Sequence, residues 1–217
     1  MGTSAGETRV TRKRERTRGE IVAAAERLVA ARGLDAISID EITEAADVAK
    51  GTFYTHFEDK DDLAVAIGYH IRIELEGRIT RLNEGVKDAG LRMANGLSSL
   101  LAFAIVQPVR ARALLRLIPG SVDPDTPINA GIRSDIALGM KAKVFSVSSL
   151  NAAVVVILGI AMSAAMRVTE VASPVTSPYD FSADAIGMAL AALGVKQGEA
   201  LRLAKLAMTN RKKELNS

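Results

Sequence analysis

Residues 38 to 60 read Ser38-Ile-Asp-Glu-Ile-Thr-Glu-Ala-Ala-Asp-Val-Ala-Lys-Gly-Thr-Phe-Tyr-Thr-His-Phe-Glu-Asp-Lys60. The stretch opens with Ser38 three residues before Glu41, the spacing of a capping box, in which a hydroxyl and a carboxylate each satisfy an otherwise unpaired N–H of the first helical turn. Ile39, Ile42, Ala45 and Ala46 then recur at helical spacing and predict a short apolar-faced helix. Asp47 stands where the chain must turn, and Asp is among the few residues that tolerate a left-handed backbone. A second short helix is predicted from about Ala49 to Thr55 or His56, with Phe53 and Phe57 four apart and therefore on one face. Tyr54 and Lys50 fall on another. Two short helices joined by a three-residue turn are the core of a helix-turn-helix.

The flanks complete the module. Thr17 and Glu20 form another capping-box pair ahead of Ile21, Ala24, Ala25, Leu28 and Val29, and Gly33 is placed to stop that helix. Beyond the motif, Asp59, Asp61 and Asp62 favour a helix N-terminus near Lys60, and the helical pattern continues to about Glu84. Ahead of it, Arg9, Arg12, Lys13, Arg14, Arg16 and Arg18 stand against Glu15 alone, a local balance of +5 that reads as a solvated arm for polyanions.

At these residues the resemblance is specific. The segment 38–60, above all Lys50-Gly-Thr-Phe-Tyr-Thr-His-Phe57 with Lys60, resembles the DNA-binding signature of the tetracycline-repressor-like (TetR) family of bacterial regulators, over roughly residues 17–67. It implies that Thr52, Thr55, His56 and Lys60 meet backbone phosphates and that Lys50, Gly51 and Tyr54 lie nearest base edges, so that the first group positions the module and the second specifies sequence. Phe53 and Phe57 are assigned to the core. Two departures stand out: Ala49 occupies a place where the family commonly has Ser or Thr, and Asp47 replaces the usual turn glycine. Residues 19–60 carry four basic and nine acidic side chains, a balance of −5 that argues against indiscriminate DNA binding.

The rest of the 217-residue chain reads as helices near 88–106, 109–118, 127–140, 149–171, 182–193 and 198–213. An extended link is expected over 143–148 and loops at 174–179 and 194–198. Proline is absent before residue 108, and no alternating strand pattern occurs, so the predicted fold is all-α. Three units are expected: a flexible basic arm over 1–16, a helix-turn-helix domain over 17–60, and a helical ligand-binding and dimerisation domain over 61–217.

The composition, 48% hydrophobic and 24% charged, is that of a globular chain with a large core. Cysteine is absent and His56 and His70 are the only histidines, leaving no thiolate nucleophile and little basis for a histidine metal site or catalytic triad. No enzyme activity and no cofactor are expected. No apolar stretch follows Met1, so no secretory signal is expected, and the cytoplasm is the expected location.

The larger helical part is rich in apolar side chains on predicted helices or their links, of a kind that can enclose an apolar pocket. Met93, Leu97, Phe103, Leu114, Phe145, Met162 and Met166 are the candidate lining; no charged constellation picks out a ligand class. The resemblance implies a small-molecule effector there. Between Lys143 and Arg167 lie 23 uncharged residues, including an unbroken run of small and apolar residues over 152–166. A helix apolar on all sides needs cover, and a self-complementary twofold contact supplies it more readily than a membrane for a run this short. The resemblance implies that this helix and the one near 182–193 pair with their symmetry mates, with Ala152, Val156, Gly159, Ser163, Ile186 and Leu190 as interface candidates. The function so implied is a ligand-responsive, homodimeric repressor of a palindromic operator in double-stranded DNA. The competing reading is an all-α small-molecule-binding protein that does not bind DNA; a helical enzyme ranks third.

Overall fold

The structure is a computed structural model that describes residues 4–117, 129–172 and 174–215. Its helices, in chain order, are α1 (Ser4–Arg32), α2 (Ile39–Ala45), α3 (Lys50–Tyr54), α4 (Lys60–Leu82), α5 (Ala89–Val106), α6 (Pro108–Leu117), α7 (Ala130–Lys141), α8 (Leu150–Val168), α9 (Pro178–Ala192) and α10 (Gln197–Leu215). No strand occurs among the described residues. The expected helix limits at 118 and 127 lie outside them.

Local chemistry sets most boundaries. Ser38 caps α2 with a complete capping box, its hydroxyl accepting from the Glu41 N–H at 3.2 Å while the Glu41 carboxylate accepts from the Ser38 N–H at 2.8 Å. That N–H, followed by Arg32, holds the Glu41 carboxyl down to a pKa of about 2, so the cap survives mild acid. Gly33 ends α1 at φ +83°, and Asp47 turns the chain at φ 53°, the left-handed conformation expected of it. Ser149 caps α8 by accepting from Ala152 N–H at 3.2 Å.

Two boundaries differ from expectation. The segment read as a flexible arm over 1–16 is helical from Ser4 and continues α1, so Thr17 and Glu20 lie inside a helix instead of starting one. Arg, Lys and Glu are good helix formers, and Arg16 pairs with Glu20 at 3.4 Å one turn on. At the other end, α9 begins at Pro178, inside the segment read as a loop; its missing N–H costs nothing in a first turn.

The hydrophobic core is continuous from head to body. Ile21, Ala25 and Val29 of α1, Ile42 of α2, Phe53 and Phe57 around α3, and Leu63 and Ile67 of α4 are all buried and close the head. The first turns of α4 therefore belong to the head, and its later turns to the body. In the body α5 is central, packed on α4 and on α6 through α10. Both α5 and α8 are long and apolar enough to cross a membrane, and both pack in this bundle.

Candidate DNA-reading head and ligand cavity

Helix α3 is anchored by its apolar face. Phe53 and Phe57 are buried with ring centroids 5.6 Å apart, as the four-residue spacing predicts. The opposite side of α3 is open: Tyr54 is 53% exposed, held edge-on by the Phe53 ring at 5.3 Å, and Lys50, Gly51 and Thr55 are exposed while Thr52 is half-buried. A Cβ on Gly51 would meet nothing within 4 Å, so inside the protomer nothing requires glycine there.

Four contacts were not legible in the motif. Lys50 Nζ pairs with Asp40 Oδ1 at 2.7 Å across the turn, which raises the Lys50 pKa and partly spends its charge. Lys60 is half-buried and donates from Nζ to the Ile37 carbonyl at 3.2 Å, tying α4 to the loop before α2. It is thus a positioning residue for the head as well as a candidate phosphate contact. Arg14 donates to the Thr55 carbonyl at 3.3 Å and the Arg18 guanidinium lies 4.9 Å from the Phe57 ring centroid, so the basic start of α1 runs beside the end of the reading helix. Two positive side chains are thereby fixed where the sequence suggested a loose tether.

His56 sits among them with Nδ1 buried and unpartnered. Burial, then the Arg14 and Arg18 charges, lowers its pKa from the ordinary histidine value. The unfolded chain therefore takes up this proton first, and the histidine withdraws stability as pH falls below about 6.5. A phosphate beside the ring would favour the imidazolium. Duplex affinity is accordingly expected to rise as pH drops from about 8 to about 6, and His56→Gln is expected to remove that slope. Fluorescence anisotropy at constant salt reads it; an identical slope in the variant would take His56 off the phosphates.

Farther along α4 a cavity of about 540 Å³ opens between α4, α5, α7 and α8. Met93 and Leu97 line it, together with Leu75, Ile79, Leu100 and Leu158. The other expected lining residues lie elsewhere. Phe103 and Leu114 are buried in the core, and Phe145 packs so closely on Gly139 that a Cβ there would lie 2.1 Å from its ring. Met162 is half-buried outside the cavity, and Met166 is exposed on α8. Apolar type alone does not tell core from cavity wall. Four charged residues, Arg72, Glu76, Arg92 and Asp135, also line the cavity. Arg92 pairs with Asp135 at 2.7 Å and Arg72 with Glu76 at 3.1 Å. The first pair joins residues 43 apart in sequence, and no spacing rule would find it.

Helix α8 is half core and half surface. Ala153, Val154, Ile157, Leu158, Ala161, Ala164 and Ala165 face inward. Ala152, Val155, Val156 and Ser163 are exposed and Gly159 is half-buried, forming an outward stripe on α8, and Met188 of α9 is exposed as well. Ile186 and Leu190, expected in the same interface, are 1% and 0% exposed inside the protomer, because their side of α9 faces the core instead of the surface.

The sequence profile of the bacterial regulatory proteins of the tetR family matches residues 21–67. An uncharacterised HTH-type transcriptional regulator of Bacillus subtilis (strain 168), YwcC, is 33% identical over 90 residues, which span 36% of this chain and 40% of that protein. Among solved structures, RolR in complex with resorcinol superposes with a TM-score of 0.74 at 23% identity, covering 89% of this chain and 95% of that one. A tetR-family regulatory protein from Rhodococcus RHA1 gives 0.59 at 22% identity, covering 83% and 98%. These structures share the all-α fold, and the tetR-family profile covers the helix-turn-helix over residues 21–67.

Proposed function

We propose that the chain is a homodimeric cytoplasmic repressor that binds a palindromic operator and leaves it when a small molecule fills the cavity. One observation carries the reading: α4 begins at Lys60 in the head and its last turns wall the cavity, so a single helix of 23 residues, about 34 Å long, joins the two sites. A ligand that prefers one placement of α4 biases the reading heads by its differential affinity. RolR, which shares this fold, was crystallised with a small molecule, resorcinol. The exposed stripe on α8 offers a self-complementary surface, and a dimer supplies the two heads that a palindrome requires.

Tyr54→Ala tests the head directly. Tyr54 is exposed on α3 and its removal leaves Phe53 and Phe57 in place, so the fold should hold. Loss of about 1–3 kcal/mol of duplex affinity with an altered selected sequence is expected if the side chain touches a base. An unchanged preference would confine Tyr54 to packing on Phe53. The reading without DNA binding is favoured by the Lys50–Asp40 pair, which neutralises a cation on the reading helix. Asp40→Asn separates the two: it should tighten duplex binding in a repressor, whereas a protein that has lost DNA binding would show none with either residue.

A further inference from the structure

The hydrogen bonds around the cavity leave an uneven inventory. Arg92 spends Nε and Nη2 on Asp135, at 2.8 and 2.7 Å, and Nη1 on the carbonyls of Asn83 and Val86. Both bonds to Asp135 fall on Oδ1, so Oδ2 accepts none among the described residues. Arg72 likewise donates to Glu76 Oε1, and through Nη2 to Asn129 Oδ1 at 3.3 Å, leaving Glu76 Oε2 without a donor among the described residues. The guanidiniums are engaged while each carboxylate keeps an oxygen in reserve. The Asp135 side chain is 11% exposed and that of Glu76 32%, so a ligand that fills the cavity takes the place of water at these oxygens.

Their placement is ordered by α7. Glu76 Oε2 lies 2.9 Å from where a Cβ on Gly131 would stand, so the missing side chain lets the carboxylate rest against that helix. Asp135 follows Gly131 by four residues, one turn farther on the same face and about 6 Å along the axis. The two spare acceptors, one from α4 and one from α7, thus lie against successive turns of α7 and share the cavity lining with Met93, Leu97, Leu100 and Leu158.

Formal charge completes the argument. Arg72 offsets Glu76, Arg92 offsets Asp135, and the exposed Arg81 and Glu84 offset each other, so the lining is balanced among the described residues. A carboxylate ligand would meet two carboxylate oxygens and engaged guanidiniums. An ammonium ligand would bring an unbalanced charge out of water, at a desolvation cost of several kcal/mol. A hydroxyl satisfies a spare acceptor without either penalty, whereas a ligand that displaced water from the acceptor and gave no donor in return would lose that hydrogen bond.

We infer that the cavity selects an uncharged amphiphile that donates two hydroxyl hydrogen bonds, one to Glu76 and one to Asp135, and lays an apolar body on the apolar part of the lining. The inference rests on the reading of this cavity as the effector site.

Calorimetric titration of the full chain with four matched probes tests it: 5-pentyl-1,3-dihydroxybenzene, 3-pentylphenol, 3-hydroxy-5-pentylbenzoate and the corresponding aminomethyl phenol. The diol is expected to bind at least about tenfold more tightly than each of the others, a hydrogen bond to a charged group being worth about that factor. In Glu76→Met the diol should fall to the affinity of the monophenol, which loses little. Asp135→Asn should weaken the diol more than 3-pentylphenol, a measure that remains readable through the thermal shift if that variant is less stable. Tighter binding of the benzoate or the amine, a diol no better than the monophenol, or no binding of any probe would overturn the inference. Duplex binding by the same preparation is scored separately: its absence overturns the regulator reading even where the diol binds, and its presence leaves that reading standing whatever the probes do.

Discussion

Arg110→Met is expected to lower the unfolding free energy by about 3–5 kcal/mol, the usual consequence of leaving a buried charge without its partner. Arg110 of α6 pairs with Glu26 of α1 and with Glu74 of α4, the latter at 3.0 Å, and Glu26 also meets His70 Nδ1 of α4 at 2.8 Å. Glu26 is 8% exposed. This cluster fastens the first helix of the head to two helices of the body, so its loss should loosen the head as well as destabilise the chain. Urea unfolding measures the first effect. The double variant Glu26→Leu with Arg110→Met should recover most of the loss, since apolar residues often replace a buried ion pair at little cost. A single variant within about 0.5 kcal/mol of the parent, the range of ordinary surface changes, would show that the cluster contributes nothing.

The second large effect concerns assembly. Val156 is 47% exposed on the outer stripe of α8. A carboxylate there is tolerable in a free protomer and strongly penalised when a second copy covers it, so Val156→Asp should give a folded monomer with near-parental helix content. Ile186→Asp should instead unfold the protomer, because that position lies in its own core. Sedimentation velocity with circular dichroism distinguishes the two outcomes. A Val156→Asp dimer of unchanged sedimentation would move the interface off α8.

The contrast between those positions shows what periodicity conveys. The head was legible because its signals are local: a capping box at Ser38, a turn at Asp47, and two phenylalanines four apart. Helix α8 was legible as a helix but not by face, since an apolar run gives no polar side to orient it. The same lack of contrast misassigned Ile186 and Leu190, and placed Phe103, Leu114 and Phe145 in a pocket when they are core. The charged cavity wall depends on Arg92 meeting Asp135 across two helices, a tertiary fact with no local signature. At the N-terminus a charge run was read as a solvated arm, although its residues are also good helix formers and the structure uses them so.

These pieces meet in the claim that one protein reads DNA through α3 and is coupled to its cavity through α4. The most direct measurement is duplex affinity as a function of salt, on a site selected from sheared genomic DNA, for the parent chain and for Arg14→Ala with Arg18→Ala. The account predicts a palindromic site with half-site centres about 10 base pairs or somewhat more apart, and log affinity falling linearly with log salt. It also predicts a slope shallower by up to about two units in the double variant, as expected if both arginines release counterions. Affinity independent of salt, or no enriched palindrome, would contradict it.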